Sequence, residues 1–110
     1  MTRLPAKVKR QRSGIERAPQ KIWPRHERFV RGHACCVRGC TDGPIDFAHV
    51  KSRGAGGGSE HGISLCRAHH VEQHAIGIET FARKYDLDLL ELAAAFVRAS
   101  PDRAMKESLR

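Results

Sequence analysis

Residues 65–74, LCRAHHVEQH, hold one cysteine and three histidines in a single short stretch, and three more cysteines stand upstream in Cys35-Cys36-Val37-Arg38-Gly39-Cys40. This pairing constrains the chain more than any other feature. With 110 residues and 5% aromatic side chains the apolar core must be small, and chains of this size commonly lean on disulfides or a bound ion for stability. No apolar run of roughly 7–15 residues marks an export signal. Histidines are also interleaved with the cysteines, so metal ligation is the expectation and the cytoplasm the expected compartment. No stretch is long and apolar enough to span a membrane.

Helix geometry sorts the ligands. RAHHVEQHAIG reads as a helix ending near Gly77; residues four apart share a face, whereas neighbours diverge by about 100°. His70 and His74 can therefore chelate one ion together. His69 points elsewhere and pairs with Cys66 as C-x-x-H at the helix start. Upstream, Cys36 and Cys40 form a tight knuckle closed by Gly39. Cys36, Cys40, Cys66 and His69 then make a closed tetrahedral structural zinc site, with Cys35 as the alternative to Cys36. A finger built from Cys36, Cys40, His70 and His74 fits poorly: residues 41–69 intervene, against about 12 in a C₂H₂ finger. Two metals are expected, and an ion on His70 and His74 with open positions can do chemistry. His49, at the end of IDFAHV, is the leading candidate for the base, because imidazole titrates near neutrality.

The remaining elements follow from caps and periodicity. PRHERFVRG predicts a helix from Pro24 to Gly32, anchored by Phe29 and Val30. ACCVRGC and PIDFAHV read as two short strands around the turn TDGP, a β-hairpin. KSRGAGGGSEHG is a loop, either a flexible linker or one that lets backbone approach a ligand. ISLC is a short strand or turn. IETFARKY places Ile78, Phe81, Ala82 and Tyr85 on one helical face. LDLLELAAAFVRAS is a last helix, capped at Asp86 or Asp88 and stopped by Pro101, whose residues Leu89, Leu92, Ala93, Phe96 and Val97 belong to the core.

Charge is unevenly placed. Residues 1–31 contain ten Lys/Arg against Glu16 and Glu27, whereas residues 32–110 contain ten of each sign, so the net +8 sits in the N-terminal third. The expected organisation is a disordered basic arm over residues 1–23, a folded domain over 24–100 and a frayed C-terminal tail over 101–110. The arm, with Lys7, Lys9, Arg10 and Arg12, suits a polyanion and would add salt-sensitive, sequence-independent affinity for nucleic acid. A solubility tail or targeting peptide is the alternative.

Read together, CCVRGC…DFAHVKSRGAGGG…HGISLCRAHHVEQHAIG resembles the HNH, or ββα-metal, nucleases. More narrowly it is similar to the small HNH nucleases of phages and prophages, including the recombination-enhancement type. The likeness runs from about Arg28 to Ser100. It implies an α+β fold, a zinc-stabilised hairpin-plus-helix core with further C-terminal helices, in a bacterial or phage-encoded protein. It also implies a DNA endonuclease in which His49 activates water, His61 takes the place of the asparagine that orients that base, and His70 with His74 binds the catalytic ion. Magnesium is the default for that ion, and paired imidazoles suit other divalent ions too. Cys36, Cys40, Cys66 and His69 match the structural zinc set. Ala48 stands where many members carry a metal-binding Asp or His; Asp46 is the candidate replacement, directly or through water, although in a strand it faces away from His49. Lys51, Arg53 and Arg67 are candidates for phosphate contacts.

Two other functions compete with a metal-dependent DNA endonuclease. A non-catalytic zinc module could bind nucleic acid through the arm alone, but it would have no use for His49, His70 and His74. An accessory nuclease of recombination or packaging would cut only when a partner, such as a recombinase filament, loads it on DNA.

Overall fold

The computed structural model describes residues 22–51 and 57–110. The expected arm over residues 1–23 falls almost wholly outside these. Helix α1 (Pro24–Arg31) leads into a cysteine-bearing loop and strand β1 (Ile45–His49). A 3₁₀ turn (Ser59–His61) then enters strand β2 (Gly62–Cys66), which passes directly into α2 (Arg67–Ile76). Three further helices follow: α3 (Ile78–Tyr85), α4 (Leu89–Ala99) and α5 (Arg103–Ser108). Among the described residues, no helix is long and apolar enough to cross a membrane.

The two strands pair antiparallel, from Ile45 opposite Cys66 to His49 opposite Gly62. Because side chains alternate across a strand, Asp46 and Ala48 share one face with Leu65 and Ile63, while Phe47 and His49 share the other with Ser64 and Gly62. All five residues of β2 are buried. Ala48, Ile63 and Leu65 join Phe81 of α3 and Leu89 and Ala93 of α4 in the core. On the Phe47 face lies α1, where His26 meets the Phe47 ring edge-on at 6.5 Å between centroids. The Phe47 ring in turn lies over Gly62, where an added Cβ would come within 1.9 Å of it. No other residue type fits beneath that ring without moving it, and the ring supports His49 at 5.2 Å, edge to face.

The expected helices over Pro24–Gly32, the histidine stretch, IETFARKY and the Leu-rich segment are all present. Asp88 caps α4, accepting from the Glu91 amide at 3.1 Å. Two expectations are corrected. The hairpin joins β1 to β2 across the glycine-rich segment, and ACCVRGC is not a strand but a loop folded on the sheet, with the Cys36 amide donating to the Ser64 carbonyl at 2.9 Å. The C-terminal residues are also not frayed: Asp102 caps α5 through the Met105 amide at 3.0 Å. Met105 is fully buried, and Lys106 Nζ donates to the Arg98 and Ser100 carbonyls at 3.0 and 3.2 Å, which docks this short helix.

His26 is a fully buried titratable group that ties α1 to the end of α4. Its Nδ1 lies 2.9 Å from Ser100 Oγ, and Nε2 has no hydrogen-bond partner among the described residues. Burial lowers its pKa, and the nearby carboxylates of Asp102, Glu27 and Glu60 offset this only in part. In the window below about pH 6.5 the folded state therefore binds fewer protons than the unfolded chain, so stability rises with pH. Stability at this site is complete above about pH 6.5 and erodes as the pH falls below it. Urea unfolding midpoints between pH 5 and 7 are expected to climb for the native sequence and to climb less for His26→Gln, whose amide can keep the Ser100 bond.

Candidate active site and metal centres

The cysteine cluster is assembled by three elements. The loop after α1 supplies Cys35 and Cys40; Cys66 ends β2 and serves as N-cap of α2; His69 sits in the first turn of α2. Gly39, at φ +78°, takes the left-handed turn that returns the chain to Cys40. One ligand atom from each of Cys35, Cys40, Cys66 and His69 lies within 4.8 Å of the others. Cys40 Sγ is 3.8 Å from Cys66 Sγ, and His69 Nδ1 is 3.5 Å from Cys35 Sγ and 3.2 Å from Cys66 Sγ. A tetrahedron with zinc–sulfur bonds of about 2.3 Å has sulfur–sulfur edges of about 3.8 Å, so the set fits such an ion. No disulfide joins the four cysteines, and all are free.

Cys35 thus takes the place expected for Cys36. The reason is local: the Cys36 amide is bonded to the Ser64 carbonyl, and its Sγ lies 3.5 Å from Ser64 Oγ. This holds Cys36 toward β2 and turns its neighbour into the cluster. Three thiols and an imidazole are a donor set that zinc takes. A backbone hydrogen bond at Asp42 lowers the Cys40 pKa, but desolvation and the neighbouring thiols of Cys35 and Cys66 outweigh it and raise the value overall. Crowded thiols resist ionising together unless a positive charge joins them.

The second face of α2 carries a separate constellation. His70 Nε2 and His74 Nε2 converge to 3.2 Å. Two imidazole nitrogens bound to one ion at about 2.1 Å lie about 3.0–3.4 Å apart, depending on coordination angle. His70 Nδ1 donates to Asp46 Oδ2 at 3.0 Å. That bond fixes the tautomer that leaves the His70 Nε2 lone pair free, the arrangement that carboxylate–histidine–metal sites use. Arg67 clamps the same carboxylate with two bonds, Nε at 2.8 Å and Nη2 at 3.1 Å. Arg67, and after it His70, hold the Asp46 carboxyl down to about 2, so it stays an anion under all ordinary conditions.

Asp46 contacts His70, and its position opposite His49 on the strand is no obstacle to a role at the site, because α2 lies on the Asp46 face. A ligand one residue before the base would also oppose it, and Asp46 shares the face of Ala48. Arg67, a candidate for phosphate contact, is exposed and pairs with Asp46 through Nε and Nη2. Lys51 is exposed and lines, with Arg38, Val50 and Ile78, an open groove of about 840 Å³ beside the end of β1. Arg53, Lys7, Lys9, Arg10 and Arg12 lie outside the described residues.

His49 ends β1 opposite Gly62, and His61 ends the 3₁₀ turn just before β2, with the Val50 amide donating to the His61 carbonyl at 2.8 Å. The His61 side chain faces Glu60, 3.7 Å away, and a pocket against Ala93, Ala94 and Val97 of α4. A residue bonded to the His49 backbone is one the sequence did not mark. Gln73, buried in α2 beside His74, donates to the His49 carbonyl at 3.2 Å. The one available signal was a glutamine on the core side of an otherwise ligand-bearing helix.

A family model described as "Putative HNHc nuclease" matches residues 20–99. The chain belongs to the HNH nuclease family. No curated protein and no solved structure matches it. In this HNH protein the Cys35, Cys40, Cys66 and His69 cluster could hold a metal ion such as zinc. A structural ion here contributes folding free energy directly. Metal analysis and thermal melting of two variants test the ligand set. Cys36→Ser is expected to keep about one zinc per chain and a nearly native melting temperature. Cys35→Ser is expected to lose the ion and to melt far lower or fail to fold.

Proposed function

We propose that the chain is a metal-dependent endonuclease of the small phage HNH type, hydrolysing phosphodiester bonds in DNA. The observation that carries this reading is the convergence of His70 Nε2 and His74 Nε2 at 3.2 Å, with Asp46 anchoring His70 from behind. Nothing in a structural zinc module requires that pair, and the match to a nuclease family supports a chemical use for it.

In this reading His70 and His74 hold a divalent ion, magnesium by default, which when bound supplies Lewis-acid polarisation of the phosphate and neutralises developing charge. His49 accepts the proton of the attacking water as general base. Its ring is braced by Phe47, and its backbone is held to α2 by Gln73. The Gln73 bond ties the base's backbone to the chelating helix, which favours keeping the reacting groups in register. Asp46 keeps His70 oriented with Nε2 outward, and Arg67 keeps Asp46 charged and in place. In this reading Lys51, exposed two residues beyond His49, meets a phosphate next to the one being cut.

Supercoiled plasmid nicking by the zinc-loaded protein tests the reading. Cutting is expected with Mg²⁺ or Mn²⁺ and not when the divalent ion is omitted. His49→Ala is expected to slow it by about 10²–10⁴-fold, the usual scale for a lost general base, with zinc content and fold unchanged. Cutting by His49→Ala at the native rate would sink the assignment. Activity that needs an added recombinase filament would instead favour a partner-loaded nuclease.

A further inference from the structure

The exposed face of α1 carries three arginines that the cleavage site does not use. Taking Arg25 as the origin and about 100° per residue, the buried His26 and Val30 lie near 100° and 140°, whereas Arg28 and Arg31 lie near 300° and 240°. The three guanidinium-bearing positions are thus centred opposite the buried stripe, facing away from the sheet. A solvated helix face normally mixes charges of both signs. This one does not. Glu27 is the sole acid of α1, and it is turned toward the fold, where it accepts from Ser59 Oγ at 2.5 Å. Its contact with Arg31 is 4.0 Å long, and among the described residues neither Arg25 nor Arg28 has an ion-pair partner.

We propose that the Arg25, Arg28 and Arg31 face of α1 is a docking surface for the DNA phosphate backbone, distinct from the cleavage site. The inference rests on the DNA-hydrolase reading for its choice of polyanion. From Arg25 to Arg31 the helix rises about 9 Å, which spans about three nucleotides at roughly 3.4 Å per step along one strand. The ridge is continuous in sequence with the seven Lys/Arg of residues 1–21, against which stands only Glu16. Residues 32–110 carry no net charge, so the chain's excess positive charge lies in the arm and this ridge. Contacts of this kind position the protein on DNA without reading bases. Arginine suits the task, because its fork matches phosphate geometry and stays charged at any working pH.

The test is the salt dependence of binding, measured with the zinc-loaded full chain and a short fluorescent DNA duplex from about 50 to 200 mM salt. No Mg²⁺ or Mn²⁺ is added, so cutting plays no part. Each phosphate contact contributes a slope of about −0.9 in log K against log salt. The triple variant Arg25→Gln, Arg28→Gln, Arg31→Gln is expected to flatten the slope by about two to three. A charge-matched control, Arg83→Gln, Arg103→Gln, Arg110→Gln, is expected to leave the slope nearly unchanged. An unchanged slope in the first variant, or equal flattening in both, overturns the proposal. Because binding is read without catalysis, a protein that never cuts DNA can still pass this test, and an active nuclease can still fail it.

Discussion

The fold depends on one closure. Cys35 and Cys40 from the loop, Cys66 at the end of β2 and His69 in the first turn of α2 meet within 4.8 Å. Cys66 is at once the last residue of the hairpin and the cap of the helix. An ion bound at that point would fix the angle at which α2 leaves the sheet, with few apolar side chains needed to do it. α2 is then held again from behind: the Tyr85 hydroxyl donates to Glu72 at 2.5 Å, Lys84 pairs with the same carboxylate, and the Tyr85 ring packs edge-on against His69 at 5.2 Å. Lys84, and after it Tyr85, hold the Glu72 carboxyl below its ordinary value.

The same helix carries both constellations, and its period separates them. His69 faces the cysteine cluster while its neighbour His70 faces Asp46, about a third of a turn away. His74 follows His70 by one turn and joins it. Gln73 reaches the other way to the His49 carbonyl. One rigid element therefore orients the structural cluster, the imidazole pair and the candidate base together, which is the preorganisation that a site built mainly from electrostatics needs.

Much of this was readable in the sequence because local rules governed it. Asp88, Pro101 and the apolar spacing of α4 mark that helix without reference to anything else. The four-residue interval of His70 and His74 set their shared face. What escaped was decided by tertiary contact. Cys35 and Cys36 are chemically identical neighbours, and the choice between them was made by Ser64, 28 residues away. TDGP looked like a hairpin turn, but β1 found its partner beyond the glycine-rich segment, where buried Ile63 and Leu65 gave a more apolar match than the cysteine loop. Asp46 was placed correctly on the face opposite His49, yet its use was hidden until α2 was seen to cover that face. α5 offers only Met105 as an apolar anchor, too little for a periodic signal.

The central proposal is that His70 and His74 chelate a cation while Asp46 steadies His70 from behind. Diffraction at the manganese edge from crystals of the zinc-loaded protein soaked in Mn²⁺ tests it most directly. The account predicts an anomalous peak bonded to His70 Nε2 and His74 Nε2, with the Asp46 carboxylate still on His70 Nδ1. A soaked crystal with no peak there, and the two imidazoles still hydrogen-bonded to each other, would contradict it.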